Sequence, residues 1–161
     1  METLWSPWRA RYIASGVDSK LSECVFCAIN ATPENDTQNF VLHRGEHAFV
    51  LLNLYPYITG HLLIVPYEHT AEFDSVAKAT TDELMDLAKR SQSAIRAAYS
   101  PPGFNMGMNL GAAAGAGIAD HLHIHLLPRW SGDTNFMTTV GSTRVIPESL
   151  ETTYTKLREV F

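Results

Sequence analysis

The alternation of hydrophobic and polar positions divides the chain into short strand-like runs and two helix-like segments. Strands are predicted where short apolar runs meet turn residues, over 40–43, 48–52, 61–66, 104–110 and 121–127. A helix is predicted to begin near Thr80, where Thr80-Thr-Asp-Glu83 fits a capping box, and to end before Pro101. A second, amphipathic helix is predicted near 147–161, with one apolar side formed by Leu150, Tyr154, Leu157 and Phe161.

The order of these elements predicts an α+β fold. The strands follow one another too closely for parallel strands with helical crossovers, so we expect an antiparallel sheet of about five strands with two main helices. At 161 residues the chain is expected to form one domain. We divide it into an N-terminal aromatic and basic arm at 1–20, a domain core at 21–130 and a C-terminal extension with the amphipathic helix at 131–161.

Composition removes several classes of partner from consideration. The net charge is −5, which gives no general basic footprint for nucleic acid. No apolar stretch approaches the roughly 20 residues that span a bilayer, so we expect no membrane partner. The first residues lack the basic-then-apolar pattern of a secretory signal, and we therefore expect a cytoplasmic location.

Three of the seven histidines fall in one run, His121-Leu-His-Ile-His-Leu-Leu127. Successive side chains of a strand point to opposite faces, so we expect His121, His123 and His125 on one face and aliphatic side chains on the other. The aliphatic face can be buried, whereas a neutral imidazole is a nucleophile, a proton carrier or a metal ligand near pH 7. The imidazole face is the predicted site of function.

The residues alone leave three interpretations of this face. The alternation is due to chance or to solubility; or the histidines bind a metal; or one of them attacks phosphorus. Gly115, five residues and then His121-x-His123 match the opening of a cupin metal motif, but the glutamate that should follow is absent. For phosphorus chemistry, the small-residue loop 111–117 can offer backbone N–H groups to the same phosphate that a histidine attacks.

Several motifs together are similar to those of the histidine triad (HIT) nucleotide hydrolases and transferases. The run from His121 to Leu127 resembles the family signature, Gly60-His-Leu-Leu-Ile-Val-Pro66 resembles its Gly-His strand, and Cys24-Val-Phe-Cys27 resembles the opening of many bacterial members. Leu4-Trp-Ser-Pro-Trp-Arg9, Leu52-Asn-Leu-Tyr-Pro-Tyr57 and His125-Leu-Leu-Pro-Arg-Trp130 resemble the branch that contains bacterial diadenosine tetraphosphate phosphorylases.

The resemblance implies roles for individual residues. His123 corresponds to the nucleophile that forms a nucleotidyl-histidine intermediate, His125 to the residue that contacts phosphate and assists the leaving group, and His61 to a histidine beside the triad. The implied substrate-binding residues are Asn53 on the ribose, Asn109 on phosphate, Gly115 and Gly117 in the glycine-rich loop, His125 again, and Trp130.

Cys24 and Cys27 are too few for a disulfide framework, so the pair is interpreted as half of a metal site or as a redox pair. The resemblance completes a ligand set with His69 and His121. Two thiolates and two imidazoles form a closed tetrahedral set that suits structural zinc, which would also hold the start of the nucleophile's strand. No organic cofactor is expected. The resemblance also implies a homodimer.

The function implied is nucleotidyl transfer at the α-phosphate of dinucleoside polyphosphates, as a diadenosine tetraphosphate phosphorylase or hydrolase. Hydrolase-like members carry a glutamine where this chain has Gly117, which favours inorganic phosphate over water as the acceptor. Two alternatives remain open: an adenosine phosphoramidase-type hydrolase, and a non-catalytic nucleotide-binding or sensor protein. The implied partner is a nucleotide substrate, either an adenine dinucleoside polyphosphate or an AMP conjugate.

Overall fold

The computed structural model of the chain describes residues 24–134, 138, 140 and 146–161. The predicted N-terminal arm at 1–20 lies outside the described residues, as does most of 135–145. Within the described part, three α-helices and five strands follow in the order α1 Val25–Ala31, β1 Val41–Arg44, β2 Ala48–Leu52, β3 Leu62–Pro66, α2 Lys78–Tyr99, β4 Gly103–Met108, β5 Ile124–Arg129 and α3 Leu150–Arg158.

The five strands form a single antiparallel sheet in the order β1-β2-β3-β5-β4. This confirms the α+β class and the predicted number of strands. The helix that sequence analysis did not predict is α1, whose seven residues bury only Phe26 and Ile29. Such a short helix shows too little of the 3.6-residue period to be recognised from sequence. None of the described helices is long and apolar enough to cross a membrane.

Both faces of the sheet are covered at its centre, over β2 and β3. On the face toward α2 and α3, alternate strand residues pack with the two helices into the larger core cluster, which includes Val50, Ile64, Leu84, Ile95, Ile124, Leu126 and Leu157. On the opposite face, Phe49, Leu51, Leu63 and Val65 pack with Phe26 and Ile29 of α1. The β2 and β3 strands are buried at every position because both of their faces are covered.

The histidine run follows the predicted alternation. Leu122, Ile124 and Leu126 lie in the cluster under α2, whereas the rings of His121 and His123 contact Phe26 on the other face. The strand ladder begins at Ile124 and not at His121. Pairing stops there because the residues that would continue it have other partners: the N–H of Leu122 donates to Thr70 O at 2.8 Å, and the carbonyl of Pro66 accepts from the His121 ring.

The predicted capping box is wrong. Helix α2 begins at Lys78, its N-cap residue Ala77 has no side-chain cap, and Thr80 is buried inside the first turn. The Glu83 carboxylate instead accepts the backbone N–H groups of Glu46 and His47, at 2.8 and 2.5 Å, in the turn between β1 and β2. The Glu83 carboxylate therefore binds the turn between β1 and β2 and not the N-terminus of its own helix, as the capping box had predicted.

The two edge strands of the sheet, β1 and β4, differ in how far their backbone groups are covered. At β1, the Tyr154 hydroxyl donates to Val41 O at 3.1 Å and Arg158 donates to Leu42 O, so α3 satisfies two carbonyls of this edge. At the other edge, β4 pairs with β5 alone within the described residues, and Met106 is half exposed. Unprotected edges are available for pairing with another chain.

The Glu83 contact leads to a prediction about stability. Glu83→Gln keeps the shape of the side chain but turns an NH₂ group toward one of the two N–H donors. We expect the free energy of unfolding to fall by about 1.5–3 kcal/mol, because a charged acceptor of two turn amides is lost. Urea denaturation followed by circular dichroism measures the change.

Asp86→Asn on the same helix is the matched control. Asp86 forms an exposed pair with Lys89 at 2.9 Å, so its loss should cost less than about 1 kcal/mol. Equal denaturation midpoints for the two variants would contradict the role given to Glu83.

Candidate functional site

His123 is buried, and one of its ring nitrogens is fixed by the backbone. Its Nδ1 lies 2.9 Å from the carbonyl oxygen of His121. A carbonyl oxygen only accepts hydrogen bonds, so we assign the ring proton to Nδ1. The Nε2 atom then carries a lone pair, and no hydrogen-bond partner for it occurs among the described residues. Burial lowers the pKa of His123, against the opposing effect of the hydrogen bond to His121, and so favours the neutral ring.

Aromatic contacts hold the His123 ring from two sides. The Phe26 ring lies 5.1 Å from it, centroid to centroid, and the His125 ring lies 4.8 Å from it at 63°. Phe26 is positioned by α1 directly between the two cysteines, and it also contacts the His121 ring at 5.3 Å. The helix that sequence analysis missed therefore supports the central histidine.

A chain of hydrogen bonds sets the proton on His125. The backbone N–H of Tyr57 donates to His61 Nδ1 at 3.1 Å, so His61 must carry its proton on Nε2. That Nε2 lies 2.9 Å from His125 Nδ1 and donates to it. His125 consequently carries its own proton on Nε2, the opposite tautomer to His123.

Burial and the nearby His123 lower the pKa of His125 to about 4, with burial the larger cause. His125 is therefore neutral at pH 7. It can donate an N–H to a phosphate or leaving-group oxygen, while His123 can offer a lone pair to phosphorus.

The residues predicted to bind metal lie together. The donor atoms of Cys24, Cys27, His69 and His121 all lie within 4.8 Å of one another. His121 Nδ1 is 3.3 Å from Cys24 Sγ, 3.7 Å from Cys27 Sγ and 3.2 Å from His69 Nδ1, and Cys27 Sγ is 3.4 Å from His69 Nδ1. A tetrahedral ion with bonds of about 2.0–2.3 Å holds its ligand atoms about 3.3–3.8 Å apart. These four residues could hold a metal ion.

The second nitrogen of His121 also fits metal binding. His121 Nε2 is 2.9 Å from the carbonyl of Pro66, so it carries the ring proton and leaves Nδ1 unprotonated toward the cysteines. Metal-binding histidines usually donate their other N–H to such an acceptor. Burial, partly opposed by this hydrogen bond, lowers the pKa of His121 and keeps the ring neutral.

The structure brings some of the other predicted substrate residues to the histidines. Asn53 lies 3.3 Å from His61 through its Nδ2. The ladder between β4 and β5 pairs Gly107 with His125 and ends at Met108, so Asn109 follows at the position across from His123. Gly115 and Gly117 are exposed in the loop that leads from Asn109 back to the triad, with Gly115 at a φ of 87°.

Trp130 is not brought to the histidines. It follows the far end of β5, five residues beyond His125, which corresponds to about 16 Å along an extended strand. Proximity in sequence suggested nucleotide contact, but a strand carries its residues steadily apart. The substrate contact of Trp130 stays a prediction.

Two residues of the site were missed by sequence analysis, Phe26 and Tyr57. Phe26 lies inside the Cys24–Cys27 motif, which was interpreted only through its two cysteines as metal ligands or a redox pair. The Tyr57 ring lies 4.7 Å from His61 and is nearly parallel to His125 at 6.0 Å and 17°. Its position four residues before His61, in the turn between β2 and β3, was the signal available in the sequence.

Comparison with known proteins agrees with this geometry. Residues 34–132 match the family model described as HIT domain. A Mycobacterium tuberculosis protein named AP-4-A phosphorylase is 38% identical over 157 residues, covering 95% of this chain and 80% of that protein. An uncharacterized HIT-like protein of Mycoplasma genitalium is 29% identical, covering 86% of this chain and 94% of its own length.

Solved structures give the same result. A zinc-bound histidine triad family protein from Mycobacterium smegmatis superposes with a TM-score of 0.69 at 28% identity, covering 86% of this chain and 92% of that one. A histidine triad nucleotide-binding protein from Sulfolobus tokodaii has a TM-score of 0.68 at 27% identity, covering 85% and 91% of the two chains. Because the family model matches more than half of this chain, the chain belongs to the HIT family.

Proposed function

We propose that this protein transfers a nucleotidyl group from a dinucleoside polyphosphate, through a covalent intermediate on His123, to inorganic phosphate. The observation that carries the proposal is the opposite protonation of two adjacent rings. His123 has a bare Nε2, and His125 has an Nε2–H that points away from His61. The 38% sequence identity with the protein of Mycobacterium tuberculosis that is named AP-4-A phosphorylase supports the proposed substrate class.

In the first step, the lone pair of His123 Nε2 attacks the α-phosphorus of diadenosine tetraphosphate. An N–P bond forms, the bond between that phosphorus and its bridging oxygen breaks, and ATP leaves with the bonding electron pair. The His123 ring becomes positively charged while the AMP group is attached, and its Nδ1–H bond to the His121 carbonyl stabilises that charge. The N–H of His125 donates to a phosphate oxygen on which charge accumulates.

In the second step, a phosphate oxygen attacks the same phosphorus, the N–P bond breaks, and ADP is released with His123 neutral again. No proton has to pass through His123, because its Nδ1–H is retained throughout. We propose that Asn109 and the loop that carries Gly115 and Gly117 bind phosphate oxygens, and that Asn53 binds ribose. Their support is the position of Asn109 across from His123 and the exposure of the loop glycines. The N–H of Gly115 donates to Ala112 O at 3.0 Å, so Gly115 shapes this loop and does not itself donate to the phosphate.

We propose that the metal is Zn²⁺ and that it is structural. Two thiolates and two imidazoles are the donors that zinc prefers in closed tetrahedral sites, and a zinc-bound relative has the same fold. Zinc would hold His121 in place, and with it the carbonyl that binds His123 Nδ1–H. The ion takes no part in the bond changes at phosphorus.

Assembly and location also remain proposals. A homodimer is supported by the β4 edge, which has no second partner in the part of the chain that is described and which carries the exposed Met106. A cytoplasmic location is supported by the two free cysteines, since disulfides are rare in cytosolic proteins and a close-spaced pair of cysteines there more often binds a metal. The division into arm, core and extension likewise stays a prediction.

The products formed from diadenosine tetraphosphate test the proposed acceptor. With inorganic phosphate present we expect equal amounts of ADP and ATP, and without it little release of nucleotide beyond one equivalent per site. Chromatography of the products makes the measurement. AMP plus ATP in the absence of phosphate would indicate hydrolysis, and AMP released only from an adenosine phosphoramidate would favour the phosphoramidase alternative. No turnover of any of these would indicate a binding protein.

The nucleophile is tested by His123→Asn, which removes the attacking nitrogen and retains a polar side chain. We expect kcat to fall by about a thousandfold or more, because the covalent route is lost. His47→Asn, at a histidine in the remote turn that Glu83 holds, should retain the wild-type rate. A His123→Asn protein with normal kcat would rule out the covalent step, as would failure to find AMP attached to the wild-type protein when phosphate is withheld.

The metal site is tested by Cys24→Ser together with Cys27→Ser. We expect bound zinc to fall from about one ion per chain to none by mass spectrometry of the metal, since the set keeps only two of its four strong ligands. Thermal unfolding should occur at a lower temperature, and zinc should no longer raise it. Full zinc content in the double variant would contradict this ligand set. Cys24→His, which retains a zinc donor, is the conservative control.

A further inference from the structure

Tyr57 contacts the hydrogen-bonded pair of His61 and His125 through its backbone amide and through its ring. It lies in the loop between β2 and β3, and its backbone N–H donates to His61 Nδ1 at 3.1 Å. Its ring lies 4.7 Å from the ring of His61 at 49°, and 6.0 Å from that of His125 at 17°. Tyr57 therefore helps to set the proton position on His61 through its amide, together with the Asn53 side chain, and its ring packs against both imidazoles.

The amide contact decides which way the hydrogen bonds run. Because the Tyr57 N–H and, at 3.3 Å, the Asn53 Nδ2 group both donate to His61 Nδ1, the His61 proton must be on Nε2, where it is given to His125 Nδ1 at 2.9 Å. With the reverse order, His125 would donate to His61 and present a bare Nε2 lone pair to the site. A lone pair there would repel a phosphate oxygen, whereas an N–H binds it.

The ring contact keeps this order in place. Tyr57 is half-buried, and its ring lies nearly parallel to that of His125, in the geometry of an offset stack. The stack limits rotation of the His125 ring about its bond to the strand. It also excludes water that could donate to or accept from the imidazoles in place of Tyr57 and His61.

We propose that Tyr57 is a positioning residue for the proposed reaction: its amide and its ring together hold His125 as an N–H donor to the substrate phosphate. The inference rests on the proposed function for its kinetic consequence, but not for its structural one. Phenylalanine at this position keeps both of these contacts, because it retains the backbone amide and the aromatic ring.

Two substitutions at Tyr57 distinguish the effect of the aromatic ring from that of any change in side-chain packing. We expect Tyr57→Leu to lower kcat for diadenosine tetraphosphate by about tenfold to a hundredfold with KM changed by less than about threefold, since the donor acts most strongly in the transition state. Tyr57→Phe should keep kcat within about twofold of wild type. Phe73→Leu, at an exposed aromatic outside the site, is the control for the change of side chain.

The tautomers are measured independently of activity. In ¹⁵N-histidine-labelled protein loaded with zinc, long-range ¹H–¹⁵N spectra should give His61 and His125 protonated on Nε2 and His123 on Nδ1. Tyr57→Leu keeps the backbone amide but removes the ring, so water can reach the two imidazoles and we expect mixed tautomers at His125. Tyr57→Phe, which keeps both amide and ring, should give the wild-type spectrum.

These measurements distinguish the possible failures. A wild-type protein with His125 protonated on Nδ1 would overturn the inference without any variant. So would Tyr57→Leu with unchanged kcat and tautomers. Absence of turnover by the wild type would instead refute the proposed function, and the spectra of the two variants would still decide whether Tyr57 holds His125.

Discussion

The hydrogen bond from His123 Nδ1–H to the carbonyl of His121 is the interaction on which the rest of the site depends. Its two ends are only two residues apart, at a separation of 2.9 Å, so it needs no distant element to form. It removes the choice of tautomer that a neutral imidazole otherwise has, and leaves Nε2 with an available lone pair. Without it, either nitrogen of the central ring could carry the proton.

His121 joins this bond to the metal-binding cluster. Its backbone carbonyl holds His123, its Nδ1 faces the two cysteines, and its Nε2–H is held by Pro66. The four potential ligands come from the start of α1, from the segment after β3 and from the residue that opens the histidine run. An ion bound there would connect these three parts of the chain and fix the backbone that orients the proposed nucleophile. This gives a structural ion a direct connection to the reacting residue.

The features that sequence predicted were those encoded by neighbouring residues. The alternation from His121 to Leu126 fixes two faces on its own, and the apolar runs of β2 and β3 allow little else but buried strands. Glu83 was assigned wrongly because a capping motif describes only local partners, whereas two turn amides 36 and 37 residues away compete for the same carboxylate. The hydrogen bond from Tyr57 to His61 could not be predicted because its donor is a backbone amide, a group that every residue except proline has.

Nε2 of His123 and Nε2 of His125 have complementary properties toward one phosphate group: the first offers a lone pair and the second an N–H. Burial lowers the pKa of both His123 and His125, so neither ring carries a positive charge at neutral pH. A protonated His123 could not attack, because its lone pair would be occupied; the burial that removes the charge therefore maintains the nucleophile. His125 does not need a charge, because a fixed N–H directed at an oxygen stabilises developing negative charge without a prior proton transfer. Such a site depends more on correct tautomers than on net charge. The tautomers follow from the His121 carbonyl, which accepts from His123 Nδ1, and from the Tyr57 and Asn53 amides, which donate to His61 Nδ1.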